Sequence, residues 1–144
     1  MLREWKAAEK PEEEELKKRL TAAREKLARQ QMLIKEKKVP VLVLMEGWGT
    51  AGKGSCIGEI IQNIDPRFFK VESMEKKTEE EERRPFLYRH FAKIPEAGKF
   101  VFLDSGWMGE TVGDYLRGEL KESEYTKRIE SIRRFERQLT DNGY

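Results

Sequence analysis

The sequence predicts a three-layer α/β fold with a parallel sheet, preceded by a long N-terminal helix. Val39–Met45 is a short apolar run without polar alternation, which is typical of a strand covered on both faces. A glycine-bearing loop follows this run, and apolar residues then recur at helical spacing from Cys56 until Asp65 and Pro66 end the helix. A strand, a tight loop and a helix in this order form the repeating unit of parallel sheets.

The N-terminal helix is predicted over residues 11–37. Pro11 suits a first helical turn, and acidic residues at the start and lysines at the end complement the helix dipole. We divide the chain into an N-terminal helical arm, 1–38, and a second unit, 39–144. The arm is expected to pack on the flank of the domain or in a dimer interface, because its apolar stripe is narrow: Leu16, Leu20, Ala23, Leu27 and Ile34.

Two further strands are predicted at Phe68–Val71 and Lys99–Leu103, the second of which ends at Asp104. Between them, the 78–81 segment has the form of a capping box, and Pro85 is expected to kink or restart the helix that follows. A last helix carries its apolar residues on one face: Tyr125, Ile129, Ile132, Phe135 and Leu139.

The final residues, Asp141–Tyr144, form a turn signal. In an alternating fold a helix and a turn normally lead into another strand. We therefore expect the chain to be the front part of a longer domain, incomplete at its C-terminus.

Composition limits the classes of function. The 144 residues carry a formal net charge of only +2, which argues against a general nucleic-acid or membrane-surface binder. The single cysteine, Cys56, excludes an internal disulfide framework and is predicted to lie in the core. The only histidine, His90, is expected to be a packed helix residue. No run reaches the roughly twenty apolar residues of a spanning helix, and we expect a cytoplasmic protein.

The loop Glu46–Ser55 fits two glycine fingerprints. Its glycines at 47, 49 and 52 match a dinucleotide-binding loop, whereas Gly47, Gly52 and Lys53 nearly match a P-loop. Glu72 lies about twenty positions further on, where a dinucleotide site needs an acid for the ribose.

Lys53 and Asp104 favour a phosphoryl-transfer site. An ammonium group at a helix N-terminus suits a dense phosphate charge, whereas a dinucleotide is generally held there without a lysine. Asp104 ends a strand predicted to lie beside the first, where a phosphotransferase holds Mg²⁺ directly or through water. A P-loop usually offers a hydroxyl directly after the lysine, but here Gly54 stands in that place and Ser55 follows.

Several ordered segments resemble the polyphosphate kinase 2 family over roughly residues 15–144. The loop fits the family pattern E-G-x-D-A-A-G-K-G, and Lys77–Glu81 with Arg89 resembles its P-T-x-x-E segment and following arginine. Leu103–Met108 matches part of F-D-R-S-W-Y, and Phe135–Gly143 resembles the helix and turn before the next strand of the family.

The resemblance implies a P-loop-kinase-like fold and Mg²⁺-dependent phosphoryl transfer between inorganic polyphosphate and a nucleoside mono- or diphosphate. It implies that Lys53 and Asp104 are catalytic, that Asp104 serves the metal, and that Arg89 contacts phosphate. Together with these, it assigns phosphate binding to Gly47, Gly49, Gly52, Lys53, Gly54 and Ser55.

At two positions the chain departs from the family pattern: Gly49 replaces the loop aspartate, and Ser105 replaces the arginine after the strand aspartate. Both losses remove electrostatic contributions to phosphoryl transfer. The family includes tandem proteins with one degenerate domain, and the chain resembles such an N-terminal half. A homo-oligomer, or contact with a second family domain, is expected.

Two other functions remain open at this point: a non-catalytic domain that binds phosphate or supports dimerisation, and a dinucleotide-binding module. Trp48 and Trp107 flank the loop and could stack a nucleotide base or pack beneath the loop. Arg89 and the clusters around Arg84 and Arg134 are more simply explained as solvated helix faces.

Overall fold

The computed structural model describes residues 11–74 and 76–144. A single 3₁₀ turn, Pro66–Phe68, precedes the second strand. The helices and strands in chain order are α1 (Glu13–Glu36), β1 (Val41–Met45), α2 (Lys53–Ile61), β2 (Phe69–Ser73), α3 (Glu79–Glu82), α4 (Tyr88–Phe91), β3 (Phe100–Asp104), α5 (Trp107–Leu116) and α6 (Glu122–Asp141).

The described strands form a parallel sheet in the order β1-β3-β2. Asp104 lies opposite both Met45 and Ser73, so the strands end together at one edge of the sheet. Alternate residues of β1 pack against apolar residues on both faces of the sheet, as predicted, but they are only half-buried because β1 is an edge strand of the described sheet. Phe100–Leu103 of β3 are buried, because β3 has apolar clusters on both faces and a paired strand along each edge.

The core consists of two apolar clusters, one on each face of β3. Alternate residues of a strand point to opposite faces, so Phe100 and Phe102 join one cluster while Val101 and Leu103 join the other. The first cluster also contains Ile57 and Ile64, and the second adds residues of α5 and α6: Trp107, Ile132, Phe135 and Leu139. Helices therefore cover both faces of the sheet, and the predicted three-layer α/β fold is confirmed.

Helix α1 begins and ends within two residues of its predicted bounds. Its second half lies against the domain through Leu27 and Ile34, and the Gln31 side chain bonds to the backbone of Asp65. Residues 11–23 are exposed. The expected role of the arm in a dimer interface stays a prediction.

Other local predictions had mixed outcomes. The 78–81 capping box is present, with Glu81 N donating to Thr78 Oγ1 at 3.2 Å, and Pro85 separates α3 from α4. Cys56 is exposed, so its predicted core position is wrong. The buried stripe runs through Ile57 instead, and Cys56 points about 100° away from it around the helix. Within the described ranges, every helix is too short or too polar to cross a membrane.

Candidate active site

The loop between β1 and α2 places the start of α2 at the carboxyl edge of the sheet. Ala51 N donates to Trp48 O at 3.0 Å, which closes a tight turn, and Gly52 then has a φ of 82°. Glycine adopts this left-handed conformation without strain. Among the described residues, no side chain caps α2 at Gly52, so the first-turn amides of Lys53–Ser55 are available to an anion.

Lys53 lies inside the turn of this loop. Its Nζ is 3.3 Å from the carbonyl oxygen of Gly47, 3.2 Å from that of Trp48 and 3.8 Å from Asp104 Oδ1. The Lys53 side chain is only 11% exposed, whereas that of Asp104 is 33% exposed. The structure thus brings together two residues that are 51 positions apart in the sequence, as the strand order predicted.

Gly54 gives the loop helix a close approach to Asp104. A Cβ atom at Gly54 would lie 3.7 Å from Asp104 Oδ2, an ordinary contact distance. Ser55 is the neighbouring exposed hydroxyl. The backbone of this first turn therefore lies beside the Asp104 carboxylate.

A second residue of the loop contacts α5. The Glu46 carboxylate accepts hydrogen bonds from the backbone amides of Met108, at 3.2 Å, and Gly109, at 3.1 Å. These amides belong to the first turn of α5, which follows the Asp104 turn directly. The sequence analysis assigned Glu46 no role, although it is the first residue of the matching loop pattern.

A cavity of about 550 Å³ opens at the carboxyl edge of the sheet. It reaches the loop at Gly47 and the Asp104 turn at Ser105, but Lys53 and Asp104 do not line it, because the lysine points into the loop itself. Its wall carries mixed charges: Lys76, Lys77, Glu82, Arg89, Glu110, Asp114, Arg117 and Glu119.

Glu110 is the most strongly perturbed acid in this wall. Its Oε1 is 2.7 Å from Lys77 Nζ, and its Oε2 is 3.4 Å from His90 Nε2. Burial raises the pKa of Glu110, but the hydrogen bonds and charges of His90 and Lys77 outweigh that effect and lower the pKa to about 2. Glu110 therefore stays ionised and balances part of the positive charge of the cavity.

Arg89 belongs to the same cluster, and its interpretation as a solvated helix residue is wrong. It is only 7% exposed and lies 3.6 Å from Glu81 Oε1 and 3.9 Å from Glu110 Oε2. Arg84 and Arg134, in contrast, are exposed and pair with acids one helical turn away, as expected for solvated faces.

A neighbouring cluster surrounds Asp114, which is buried. Arg117 and Arg128 each place a guanidinium nitrogen 2.6 Å from one of its oxygens. The sequence indicated no role for Asp114 or Glu110, and Lys77 was identified only as part of the 77–81 segment that resembles the family. Glu110 and Asp114 are four residues apart, the spacing of one helix face, and that spacing was the available signal.

The two tryptophans near the loop have different roles. Trp107 is 1% exposed, packs against Phe135 and donates from Nε1 to Glu136 at 2.8 Å. Trp48 is 77% exposed. It borders a second cavity of about 400 Å³, whose other walls include Met108, Val112 and Arg117. Of these two described tryptophans, Trp48 is the one with an accessible ring.

His90 and Glu72 have structural partners. His90 is fully buried between the rings of Phe86 and Trp107, which agrees with the expected packed histidine. The Glu72 carboxylate is 2.9 Å from Lys93 Nζ. Since an ion pair already engages this acid, the arrangement disfavours the dinucleotide interpretation.

A parallel sheet with helices on both faces, and a glycine loop whose lysine meets a strand-end aspartate, define a P-loop-kinase-like protein. Residues 10–144 match the model of the polyphosphate kinase 2 (PPK2) family. The chain belongs to this family.

Curated relatives and solved structures agree with this assignment. The chain is 32% identical over 103 residues to a polyphosphate:AMP phosphotransferase of Pseudomonas syringae pv. tomato, covering 72% of the chain and 21% of the relative. It is 32% identical over 117 residues to NDP-polyphosphate phosphotransferase 3 of Ruegeria pomeroyi, covering 81% and 39%. The chain thus spans well under half the length of these relatives.

A crystal structure described as polyphosphate kinase 2 from Pseudomonas aeruginosa superimposes with a TM-score of 0.89 at 27% identity, covering 99% of the chain and 31% of that protein. Another, from Arthrobacter aurescens, gives a TM-score of 0.82 at 26% identity, covering 86% and 46%.

Proposed function

We propose that the full-length protein transfers a phosphoryl group between inorganic polyphosphate and a nucleoside mono- or diphosphate, and that this chain supplies the phosphate-binding part of the site. The position of Lys53 is the main support, since its ammonium lies between loop carbonyls and Asp104 at the start of α2. The names of the relatives, which specify AMP, GDP and NDP as partners of polyphosphate, support the same reaction.

The loop and the cavity wall each contribute contacts to phosphate. The amides of residues 52–55 and the Lys53 ammonium bind phosphate oxygens, with Gly47 and Gly49 allowing close approach of the backbone. Arg89 contacts phosphate from the cavity wall. In the transfer, the bridging P–O bond of a terminal phosphoryl group breaks as a new P–O bond forms to an acceptor phosphate oxygen, and the donor keeps the bonding electron pair.

The residues at the loop suit a Mg²⁺ ion. No three acidic, histidine or cysteine side chains are grouped for a metal within residues 11–74 and 76–144. Mg²⁺, however, is commonly held by one or two carboxylates together with substrate phosphates and water. Asp104 would hold it, and the exposed Ser55 hydroxyl is a candidate second ligand. When bound, the ion neutralises phosphate charge.

The expected surroundings of the enzyme follow from the same hypothesis. We propose a cytoplasmic protein that acts on polyphosphate and nucleotides without binding nucleic acid or membrane. The exposed first half of α1, with Leu16 46% and Leu20 39% exposed, supports contact with a second copy or a second family domain.

Replacement of Lys53 tests the proposed function. In the full-length protein, Lys53→Ala should lower kcat/KM for polyphosphate-dependent nucleotide phosphorylation by roughly 100-fold or more, the usual effect of removing one charge-stabilising group. Lys127→Ala, at an exposed lysine of α6, is the control and should leave the rate unchanged. Unchanged turnover in Lys53→Ala would place catalysis elsewhere in the protein.

The second candidate is a non-catalytic domain that binds phosphate, and Gly49 and Ser105 favour it. It predicts that the wild-type chain binds tripolyphosphate in a Lys53-dependent manner, while turnover in the full-length protein is insensitive to Lys53→Ala. Loss of both binding and turnover would instead support the catalytic role.

A further inference from the structure

The carboxylate of Glu46 connects the loop to the segment that carries Asp104. Glu46 directly follows β1 and begins the loop, whereas Met108 and Gly109, whose amides it binds at 3.2 and 3.1 Å, belong to the first turn of α5. Asp104 and the start of α5 are separated by only two residues. The contact therefore connects the loop that carries Lys53 to the segment that follows Asp104.

The electrostatics of this contact favour an ionised carboxylate. The N-terminal turn of a helix presents unpaired amides and a partial positive charge. The N-cap residue of α5 is Gly106, which has no side chain with which to cap the helix. Glu46 supplies the missing acceptors from another element, through two charge-assisted hydrogen bonds.

Two glycines of α5 leave space for the Glu46 side chain. A Cβ atom at Gly106 would lie 2.7 Å from Glu46 Oε1, and one at Gly109 would lie 2.7 Å from Glu46 Oε2. Contacts this short force a displacement, and the flexible end of the Glu46 side chain is the part that can move. Since Gly109 has no positive φ, the need for glycine there comes from the carboxylate rather than from the backbone.

We propose that Glu46 is a positioning residue that sets the distance between the Lys53 loop and the Asp104 turn. The inference rests on the proposed function. Glu46 does not contact Lys53 or a reacting group; it acts through the first turn of α5. The backbone bond from Ser105 N to Met45 O, at 3.1 Å, anchors the same two segments one residue earlier. Without the Glu46 carboxylate, the backbone bond would remain together with the Lys53–Asp104 ion pair, at 3.8 Å, but the first turn of α5 would lose its direct hydrogen bonds to the loop.

The test is Glu46→Gln in the full-length protein, because glutamine keeps the shape and loses the charge and one acceptor. The affinity for inorganic tripolyphosphate, measured by calorimetry, should fall roughly tenfold or more. In steady-state kinetics KM for polyphosphate should rise in step, whereas KM for the nucleotide should stay within about twofold of wild type. Gly109→Ala, which retains Glu46 but displaces its carboxylate, should give the same pattern.

Glu136→Gln is the matched control. Its carboxylate accepts from Trp107 Nε1, at 2.8 Å, so the same chemical change is made beside the same helix but away from the loop. Melting curves of each variant fix an assay temperature at which all are folded.

The outcomes separate the inference from the function on which it rests. Loss of affinity in Glu46→Gln and Gly109→Ala but not in Glu136→Gln supports the positioning role. Wild-type affinity in Glu46→Gln, or an equal loss in Glu136→Gln, overturns that role while the proposed function stands. Failure of the wild-type protein to bind tripolyphosphate overturns both.

Discussion

Glu110 should make the stability of the domain depend on pH in the acid range. We consider Glu110→Gln, which removes the negative charge but keeps the size of the side chain. In the folded chain the pKa of Glu110 falls from its ordinary value of 4.5 to about 2, because the His90 and Lys77 contributions exceed the opposite effect of burial. The native state therefore favours the ionised form.

The size of the effect follows from proton linkage. Each tenfold change in proton affinity corresponds to about 1.4 kcal/mol, so ionised Glu110 contributes at most about 3 kcal/mol at neutral pH. An acid whose pKa is lower in the folded state than in the unfolded state stabilises the folded state at pH values above its unfolded-state pKa. This stabilisation is lost as the pH falls through its folded-state pKa. The contribution is thus complete above about pH 5, falls to about 1 kcal/mol at pH 3 and nearly vanishes by pH 2.

The assay is urea unfolding of the wild type and Glu110→Gln at pH 7, 5, 4 and 3. The difference in unfolding free energy should be largest at neutral pH and narrow steadily below pH 5, because protonated glutamate resembles glutamine. Glu119→Gln is the control: Glu119 is 57% exposed and paired with Arg117, so its replacement should have a much smaller effect. A difference that stays constant from pH 7 to pH 3 would refute the role of ionised Glu110.

Two further predictions concern the loop in the full-length protein. Trp48→Ala should raise KM for the nucleotide by roughly fivefold or more, because stacking of a base on an aromatic ring contributes about 1–3 kcal/mol, whereas KM for polyphosphate should not change; equal nucleotide KM values in kinetic assays would exclude such stacking. Gly49→Asp combined with Ser105→Arg should increase kcat by roughly tenfold or more by restoring two charged groups. Unchanged kcat in that double variant would support the non-catalytic candidate.

Local sequence patterns were sufficient to predict most of the fold. The apolar runs and the 78–81 capping box depend on residues close in sequence, and each appears near its predicted place. The loop helix α2 ends earlier than predicted, at Ile61, and Asp65 instead caps the 3₁₀ turn that begins at Pro66. The degree of burial of a strand depends instead on its neighbours. The composition of β1 resembled that of a central strand, but the sheet order gives β3 that position.

The site could be predicted only in part for the same reason. The sequence predicts that Lys53 and Asp104 lie close together, because parallel strands end at a common edge of the sheet. The spacing of Glu110 and Asp114 places both acids on one face of α5, but the burial of Arg89 and its ion pairs depend on how α3, α4 and α5 pack, which local spacing does not determine. The predicted core position of Cys56 was wrong because neighbouring residues point about 100° apart around a helix, so one can be buried while the next is exposed.

The carbonyl partners of Lys53 influence which ligands the loop selects. An incoming oxygen must compete with the carbonyls of Gly47 and Trp48, which already coordinate the ammonium at 3.3 and 3.2 Å. An uncharged oxygen offers the amine nothing better than these partners, so exchange brings no net gain. An oxygen with a formal negative charge interacts more strongly with the ammonium than a carbonyl does, and each additional negative charge nearby strengthens the interaction further. If Lys53 binds phosphate as proposed, its carbonyl contacts would therefore favour highly charged ligands over weakly charged ones.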